Sequence, residues 1–234
     1  MRLDKFFSEL GILSRKETQA AARAGMITVN GNVVKDPARH VDPDADAVTL
    51  RGERVCYRKF TYVMLNKPAG YISATEDGNL PVVTSLLPEQ LQRMGLFPCG
   101  RLDRDTVGLM ILMNDGVLSH RLLSPRHHAK KVYFFRCEAR LDESDVSAFR
   151  EGMKLDGEPL KSAVLSPDKG GLSGTVTLTE GKYHQIKRMF LQRGNKITYL
   201  KRVSFGGLSL DPTLAEGEWR YLSDDEIAIL TANE

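Results

Sequence analysis

Apolar side chains recur every three to four residues at the start of the chain, which is the spacing of an amphipathic helix. Residues 3–10 show this pattern and predict a first helix. Ser14 and Glu17 then form a capping-box signature, in which each side chain accepts a hydrogen bond from the other residue's backbone N–H. A second helix is therefore predicted to begin after Ser14 and to end at Gly25.

Short β-type runs follow these two helices. Residues 27–34 predict two strands around Asn30-Gly31, a pair that is typical of a tight hairpin turn. Residues 47–55 repeat the arrangement around Arg51-Gly52. The pattern thus predicts a compact helix-helix-hairpin domain over residues 1–57 and a second, larger domain over residues 58–234.

The larger domain shows the pattern of buried strands mixed with helices. Apolar runs at residues 60–65 and 109–113 have the length of a buried strand. Further strands are predicted at 130–140, 160–165, 174–179, 197–200, 202–207 and 217–222, and helices at 80–87, 89–94, 117–122, 142–151, within 180–190 and after Ser223. We therefore predict an α+β protein whose larger domain is built on a mixed, mainly antiparallel sheet with flanking helices.

Composition narrows the class of protein. Hydrophobic residues make up 41% of the chain and charged residues 27%, which is ordinary for a soluble globular protein. The sequence has no apolar run of membrane-spanning length and its N-terminus does not resemble a secretory signal. The three cysteines are widely spaced, so we predict a reducing, cytoplasmic location, with the cysteines as small buried residues rather than disulfides or zinc ligands.

Charge is unevenly distributed, although the net charge is only +3. Residues 211–234 carry seven acidic side chains against the single cation Arg220. Residues 182–202 carry seven basic side chains and no acidic one: Lys182, Lys187, Arg188, Arg193, Lys196, Lys201 and Arg202. A solvated helix face would normally mix the two signs, so the basic run favours contact with a polyanion.

A cluster of charges lies directly before the apolar run at residues 109–113. Two carboxylates and two guanidiniums stand between Gly100 and Gly108. A carboxylate so close to a buried strand stays ionised only if cations lie nearby. Chemistry alone leaves two interpretations open, a surface turn whose ion pairs contribute little and a functional carboxylate.

The residues of this stretch resemble a known motif. Gly100-Arg101-Leu102-Asp103, followed by Thr106, Gly108-Leu109 and Asp115-Gly116, is similar to the catalytic motif of the RsuA-type pseudouridine synthases. The resemblance implies that Asp103 is the essential residue.

The N-terminal domain resembles a different, widespread module. Arg2-Leu3-Asp4-Lys5, Ser14-Arg15 and Val29-Asn30-Gly31 are similar to the α-L RNA-binding domain that is also found in a small-subunit ribosomal protein. The resemblance implies that this domain binds structured RNA, and we expect its removal to lower affinity rather than chemistry.

Three more stretches follow the order of the family's motifs: Lys67-Pro68-x-Gly70-Tyr71, Lys131-Val132-Tyr133 and Glu180 to Phe190. The resemblance implies that Tyr133 stacks on the target base and that Lys187 pairs with Asp103, helped by Arg101. It also implies that Leu200 packs under the active site. The basic residues expected to bind RNA are Arg2, Lys5, Arg15, Lys16, Arg23, Lys67, Arg126, Lys130, Lys131, Arg188 and Arg202.

The implied activity is the isomerisation of one uridine to pseudouridine in small-subunit (16S) ribosomal RNA, either naked or in a partly assembled subunit. The resemblance implies that the target nucleotide is flipped into a pocket, where Asp103 could attack C1′, attack the base or remove the 2′ proton. Two alternatives remain, the same reaction on large-subunit RNA and a non-catalytic RNA-binding assembly factor.

The isomerisation needs no redox cofactor, ATP or metal, and the sequence has no glycine-rich nucleotide loop. His127 and His128 are adjacent, but no other metal ligand lies at a suitable spacing, so we predict no metal site. We further expect a cytoplasmic monomer that does not contact membranes.

Overall fold

The computed structural model describes residues 1–124 and 129–232. The chain divides into two compact units, of which the first comprises Met1–Thr61 and Leu87–Leu96. The second comprises Tyr62–Leu86 and Phe97–Glu234. The first unit thus includes a short segment that the sequence analysis had placed in the larger domain.

The first unit contains the predicted helices and hairpin. Helices α1 and α2 span Leu3–Glu9 and Arg15–Arg23, and the reciprocal hydrogen bonds of the capping box join Ser14 and Glu17. The strands β1 to β4 span Ile27–Val29, Asn32–Val33, Val48–Leu50 and Glu53–Arg54, in the order β2-β1-β3-β4. Asn30 and Gly31 both have positive φ, as a primed two-residue hairpin turn requires. The local sequence signals therefore predicted the two helices and the hairpin correctly.

Helix α3, Glu89–Arg93, belongs to the first unit because polar contacts join it to the N-terminal helices. The Gln90 side-chain amide donates to the Leu10 carbonyl at 3.2 Å, and Arg93 forms an ion pair with Glu17 at 3.1 Å. Gly11 has φ +64°, and a Cβ there would lie 2.1 Å from the Gln90 carbonyl oxygen. Only glycine allows this close approach of the two backbones.

The second unit is built on one mixed sheet. Its strands, β5 to β8 and β11 to β15, span Tyr62–Lys67, Phe97–Pro98, Val107–Met113, Lys131–Cys137, Val164–Pro167, Ser173–Leu178, Ile197–Phe205, Leu208–Ser209 and Trp219–Tyr221. The order is β11-β12-β8-β13-β7-β5-β15, with β14 beside β13 and β6 beside β7. Strands β13 and β7 are parallel and the other paired strands are antiparallel. The predicted fold class is confirmed.

Helices flank this sheet and complete its core. A short 3-10 helix spans Val83–Leu86, and α4, α5, α6 and α7 span Gly116–Leu123, Glu143–Glu151, Gln185–Gln192 and Asp224–Thr231. Every residue of β7 is buried, so the strand that follows the charge cluster lies in the centre of the sheet. The charge cluster is therefore held against the core of this unit.

Two strand predictions were wrong. The predicted strand at 160–165 begins only at Val164, and the chain before it forms a hairpin of β9, Lys154–Leu155, and β10, Glu158–Pro159. Asp156-Gly157 makes the turn with two positive φ angles, a hairpin signal that the sequence analysis overlooked. The strands predicted on either side of Lys201 are one continuous strand, β13.

The parallel pairing of β7 with β13 depends on Gly108. This residue has φ +101°, and a Cβ would lie 2.3 Å from the Arg202 carbonyl oxygen. Because this oxygen and the Arg202 nitrogen, 2.9 Å from such a Cβ, both belong to the backbone of β13, no side-chain adjustment can relieve the clash. Gly108 thus sets how closely β7 approaches β13.

The cysteine prediction was correct for two of the three residues. Cys99 and Cys137 are buried, whereas Cys56 is exposed, and all three thiols are free. In the parts of the chain that the structure describes, no helix has the length and apolar character needed to cross a membrane.

Candidate active site

Asp103 lies in the loop between β6 and β7, and its side chain is 26% exposed. Its Oδ2 is 2.9 Å from Nζ of Lys187, which projects from the first half of α6. Its Oδ1 is 3.6 Å from Nε2 of His184, the residue that precedes α6. The structure thus places Asp103 and Lys187 in direct contact in a partly exposed position, where a ligand can reach the carboxylate.

Lys187 also bridges to a second carboxylate that the sequence analysis did not single out. Its Nζ is 2.5 Å from Oδ1 of Asp105. Burial lowers the pKa of Lys187, but hydrogen bonds to Asp105 and Asp103 outweigh that effect and leave it above the ordinary value. Burial likewise works to raise the pKa of Asp105, yet the Lys187 contact lowers it overall. Lys187 is therefore a fixed cation that favours charged carboxylates around it.

The loop that carries Asp103 is held by a fully buried lysine. Nζ of Lys67 lies 2.8 to 3.2 Å from the carbonyl oxygens of Pro68, Asp103, Arg104 and Thr106, and these four acceptors share its three N–H groups. Burial lowers the pKa of Lys67 to about 8. The prediction that Lys67 contacts RNA phosphate was wrong, because its ammonium group is enclosed by the protein's own carbonyl groups.

Replacing Lys67 tests this interpretation. Lys67→Met keeps most of the side-chain volume but leaves the carbonyl groups without their donor, so we expect the free energy of unfolding to fall by about 2–4 kcal/mol. We also expect kcat to fall about tenfold or more, because the Asp103 loop is no longer held in place. Urea unfolding and turnover measurements check both effects. The exposed Lys169→Met serves as the control, and equal stability of the two variants would contradict the assigned role.

Tyr133 and Leu200 lie on the face of the sheet that α6 covers. Tyr133 and Phe135 are two residues apart in β8 and so point to the same face. Leu200 in β13 is paired with Phe135, whose ring centroid is 4.9 Å from that of Phe190 in α6. Because α6 also carries Lys187, the sheet register brings Tyr133 and Leu200 to the side of the molecule where the Asp103 pair lies.

Three other predicted site residues lie elsewhere than expected. Arg202 is buried, donates through Nε to the Leu109 carbonyl at 2.7 Å and lies 5.0 Å from the ring of Phe205, so its assignment to RNA was wrong. Lys131 is partly buried, and its Nζ donates a hydrogen bond to the backbone carbonyl group of Ala129. Arg101 is exposed. Among the residues that the structure describes, the ion-pair partners of Asp103 are His184 and Lys187 rather than Arg101.

The basic run of residues 182–202 is largely neutralised by carboxylates of the same unit. Ion pairs join Arg188 to Asp156 at 2.5 Å, Arg193 to Asp145 at 2.7 Å and Lys196 to Glu138 at 3.1 Å. These side chains therefore have carboxylate partners within the protein, and their contact with RNA phosphate stays a prediction. The sequence does not reveal these ion pairs, because each carboxylate belongs to a segment far from its cation along the chain.

The N-terminal cations are all exposed, but they differ in their partners. Arg2 pairs with Asp4 at 2.6 Å and Lys5 with Glu9 at 3.5 Å. Arg15, Lys16 and Arg23 on α2 form no ion pair with any described residue. Lys130 is also exposed, and Arg126 lies outside the described residues, as do His127 and His128. The α2 cations are thus the best placed of this group to meet phosphate.

The chemistry available at Asp103 follows from these contacts. A carboxylate can act as a nucleophile or accept a proton. No group of three His, Cys, Asp or Glu side chains that could hold a metal ion occurs in the part of the chain that the structure describes. The larger unit thus carries a partly exposed carboxylate in contact with a lysine, and the smaller unit carries exposed cations on α2.

Comparison with known proteins identifies the family. Residues 61–192 match the family model described as RNA pseudouridylate synthase, and residues 1–46 match the S4 domain. The first match covers more than half of the chain and includes Asp103, Tyr133 and Lys187. The chain belongs to the RNA pseudouridylate synthase family.

Similarity to individual proteins extends over almost the whole chain. An uncharacterized RNA pseudouridine synthase of Bacillus subtilis is 45% identical, with 98% of each chain covered. The ribosomal small subunit pseudouridine synthase A of Escherichia coli is 37% identical over 97% of this chain and 99% of its own. A crystal structure of a pseudouridylate synthase superposes with a TM-score of 0.69 at 36% identity, covering 98% and 99% of the two chains. The protein is a pseudouridine synthase with an N-terminal S4 domain.

Proposed function

We propose that this enzyme isomerises one specific uridine of small-subunit (16S) ribosomal RNA to pseudouridine, with Asp103 as the residue that acts on the nucleotide. The observation that carries the proposal is the 2.9 Å contact between the Asp103 carboxylate and Lys187 in a partly exposed position. The choice of RNA is supported by two similar proteins, from Escherichia coli and Pasteurella multocida, that are named ribosomal small subunit pseudouridine synthase A.

The reaction rearranges the uridine without net oxidation. The bond from C1′ to N1 breaks, the uracil turns, and a bond from C1′ to C5 forms. The proton on C5 is then lost and N1 gains one, so that substrate and product have the same atoms. Asp103 either attacks C1′, attacks the base or removes the 2′ proton, and the Lys187 ammonium lies 2.9 Å from its carboxylate for each of these steps.

The uracil reaches Asp103 only if the nucleotide leaves the RNA stack, which costs a few kcal/mol. In the proposal, Tyr133 holds the extruded base by stacking and takes part in removal of the C5 proton. Leu200 packs beneath it on the same face of the sheet. Contacts between cations of the enzyme and RNA phosphates offset the cost of extrusion.

The partner is small-subunit ribosomal RNA, naked or in a partly assembled subunit, and the enzyme acts as a cytoplasmic monomer without a cofactor. Purified protein incubated with 16S RNA, 23S RNA and reconstituted small subunits tests the proposal. Mapping of pseudouridines by carbodiimide modification and primer extension is expected to show one new site, in 16S RNA. A new site in 23S RNA only, or none in any substrate, would refute it.

The S4 domain is expected to supply affinity rather than chemistry. Changing Arg15, Lys16 and Arg23 to alanine should raise the Kd for RNA about tenfold and leave kcat within twofold. Each cation that contacts a phosphate should also lower the slope of log affinity against log salt by about 0.7–0.9. Filter binding over a salt series measures this slope. A large fall in kcat at saturating RNA would contradict the division of roles.

Point substitutions are preferable to removing residues 1–57. Helix α3 belongs to the first unit, with Gln90 bonded to the Leu10 carbonyl and Arg93 paired with Glu17. Truncation would leave these groups without their partners, and any loss of activity would then include a loss of stability.

A further inference from the structure

Tyr183 is a large aromatic residue on the surface beside the active site. Its side chain is 76% exposed, so it is not part of the core. Its ring stacks on the ring of His184, with a centroid distance of 3.9 Å and an interplanar angle of 18°. One face of the tyrosine ring is therefore covered by histidine, and the exposure leaves the other face open to solvent.

His184 connects this stacked pair to the catalytic carboxylate. The residue has the left-handed backbone conformation, with φ +48° and ψ +32°, which is uncommon for residues other than glycine. In this conformation its Nε2 lies 3.6 Å from Oδ1 of Asp103. The Tyr183 ring thus stacks on a histidine ring that itself lies beside the Asp103 carboxylate.

Hydrogen bonds hold the segment before α6 in place. The buried Gln185 side chain accepts from the Lys182 backbone N–H and donates to Glu180, both at 2.8 Å. Glu180 in turn accepts from the Lys161 backbone N–H at 3.0 Å, and Nζ of Lys182 donates to the Pro159 carbonyl at 3.1 Å. The stacked rings are therefore presented in one arrangement, which lowers the entropic cost of binding a ligand to them.

We propose that Tyr183 and His184 form a stacking platform for the base of the nucleotide adjacent to the target uridine. The inference rests on the proposed function, because it places the extruded uracil at Asp103. Bases stack on exposed aromatic rings in single-stranded RNA recognition, and the spacing of the two protein rings is close to that of stacked bases. When the target base is extruded, its neighbour loses a stacking partner in the RNA, and the open face of Tyr183 replaces it.

Variants of Tyr183 test the platform on a short RNA that contains the mapped uridine. Tyr183→Leu removes the aromatic face and should raise KM about five- to fiftyfold, as expected for the loss of one base–aromatic stack, with kcat within about threefold. Tyr183→Phe keeps the ring and should retain KM within twofold. Tyr221→Leu removes another half-exposed tyrosine, which packs on Trp219, and should leave both constants unchanged.

A second experiment identifies which base of the RNA stacks on Tyr183. The same RNA is prepared with an abasic nucleotide on the 5′ or the 3′ side of the target uridine. One of these substrates should have a raised KM with the wild-type enzyme, and on it Tyr183→Leu should cause no further rise. An unchanged effect of Tyr183→Leu on both abasic substrates would overturn the platform, as would equal KM values for Tyr183→Leu and wild type on intact RNA.

The outcomes separate this inference from the proposed function. If wild type and Tyr221→Leu form pseudouridine but Tyr183→Leu behaves like them, the platform alone is overturned. If wild type forms no pseudouridine in the RNA, both proposals fail.

Discussion

We expect Asp103→Asn to abolish pseudouridine formation, with a loss of at least about a thousandfold in kcat, while RNA binding stays within threefold of wild type. Asparagine has nearly the same shape as aspartate but has neither the charge nor the nucleophilicity of a carboxylate. The expected binding follows because the exposed α2 cations lie on a different unit from Asp103. Release of tritium from RNA labelled at uridine C5 measures turnover, and filter binding measures affinity.

Asp105→Asn is the matched control, because Asp105 contacts the same Lys187 two residues further along the loop. We expect it to lower kcat about tenfold at most, since Lys187 keeps its 2.9 Å contact with Asp103. If Asp105→Asn is the inactive variant and Asp103→Asn turns over normally, the reactive carboxylate has been assigned to the wrong residue. Full activity of both variants would refute an aspartate-dependent mechanism at this site.

We expect Lys187→Met to lower kcat about a hundredfold or more and to change KM much less. The substitution leaves the Asp103 and Asp105 carboxylates without the cation that contacts both of them, so nothing offsets the repulsion between their charges. Lys187→Arg restores the charge but replaces a compact ammonium group by a planar fork, so an intermediate rate is expected. Single-turnover rates at saturating RNA isolate this effect from binding.

Lys196→Met is a suitable control for the loss of one positive charge. Lys196 forms an exposed ion pair with Glu138 after the end of α6, and such pairs contribute little to stability. Its activity should stay within twofold of wild type. A Lys187→Met enzyme that retains a third or more of wild-type kcat would show that Asp103 does not depend on this cation.

Local signals in the sequence determined much of the fold. The Ser14 capping box and the Asn30-Gly31 turn predicted the first unit because both act between residues at most four apart. The apolar run at 109–113 predicted the central buried strand for the same reason. The motif around Asp103 pointed to this residue as the candidate carboxylate through its resemblance to a family rather than through any local physical rule.

The surroundings of each charge were decided only by tertiary structure. Lys67 and Arg202 are cations in the sequence, which favours a surface position, yet both are buried because carbonyl groups from other segments accept their hydrogen bonds. The carboxylates that neutralise Arg188 and Arg193 likewise come from elements that the sequence does not place beside α6.

The sequence by itself determined most of the helices, the Asn30-Gly31 turn, the central strand and the identity of the candidate carboxylate, whereas the helix predicted at 80–87 is only the 3-10 helix Val83–Leu86. Tertiary structure alone decided that Lys187 bridges Asp103 and Asp105 and that His184 approaches the same carboxylate. Asp105 and Lys187 are 82 residues apart, and their contact depends on how β7, β13 and α6 are packed. Backbone preferences act over a few residues, whereas the meeting of distant side chains depends on the register and packing of the whole sheet.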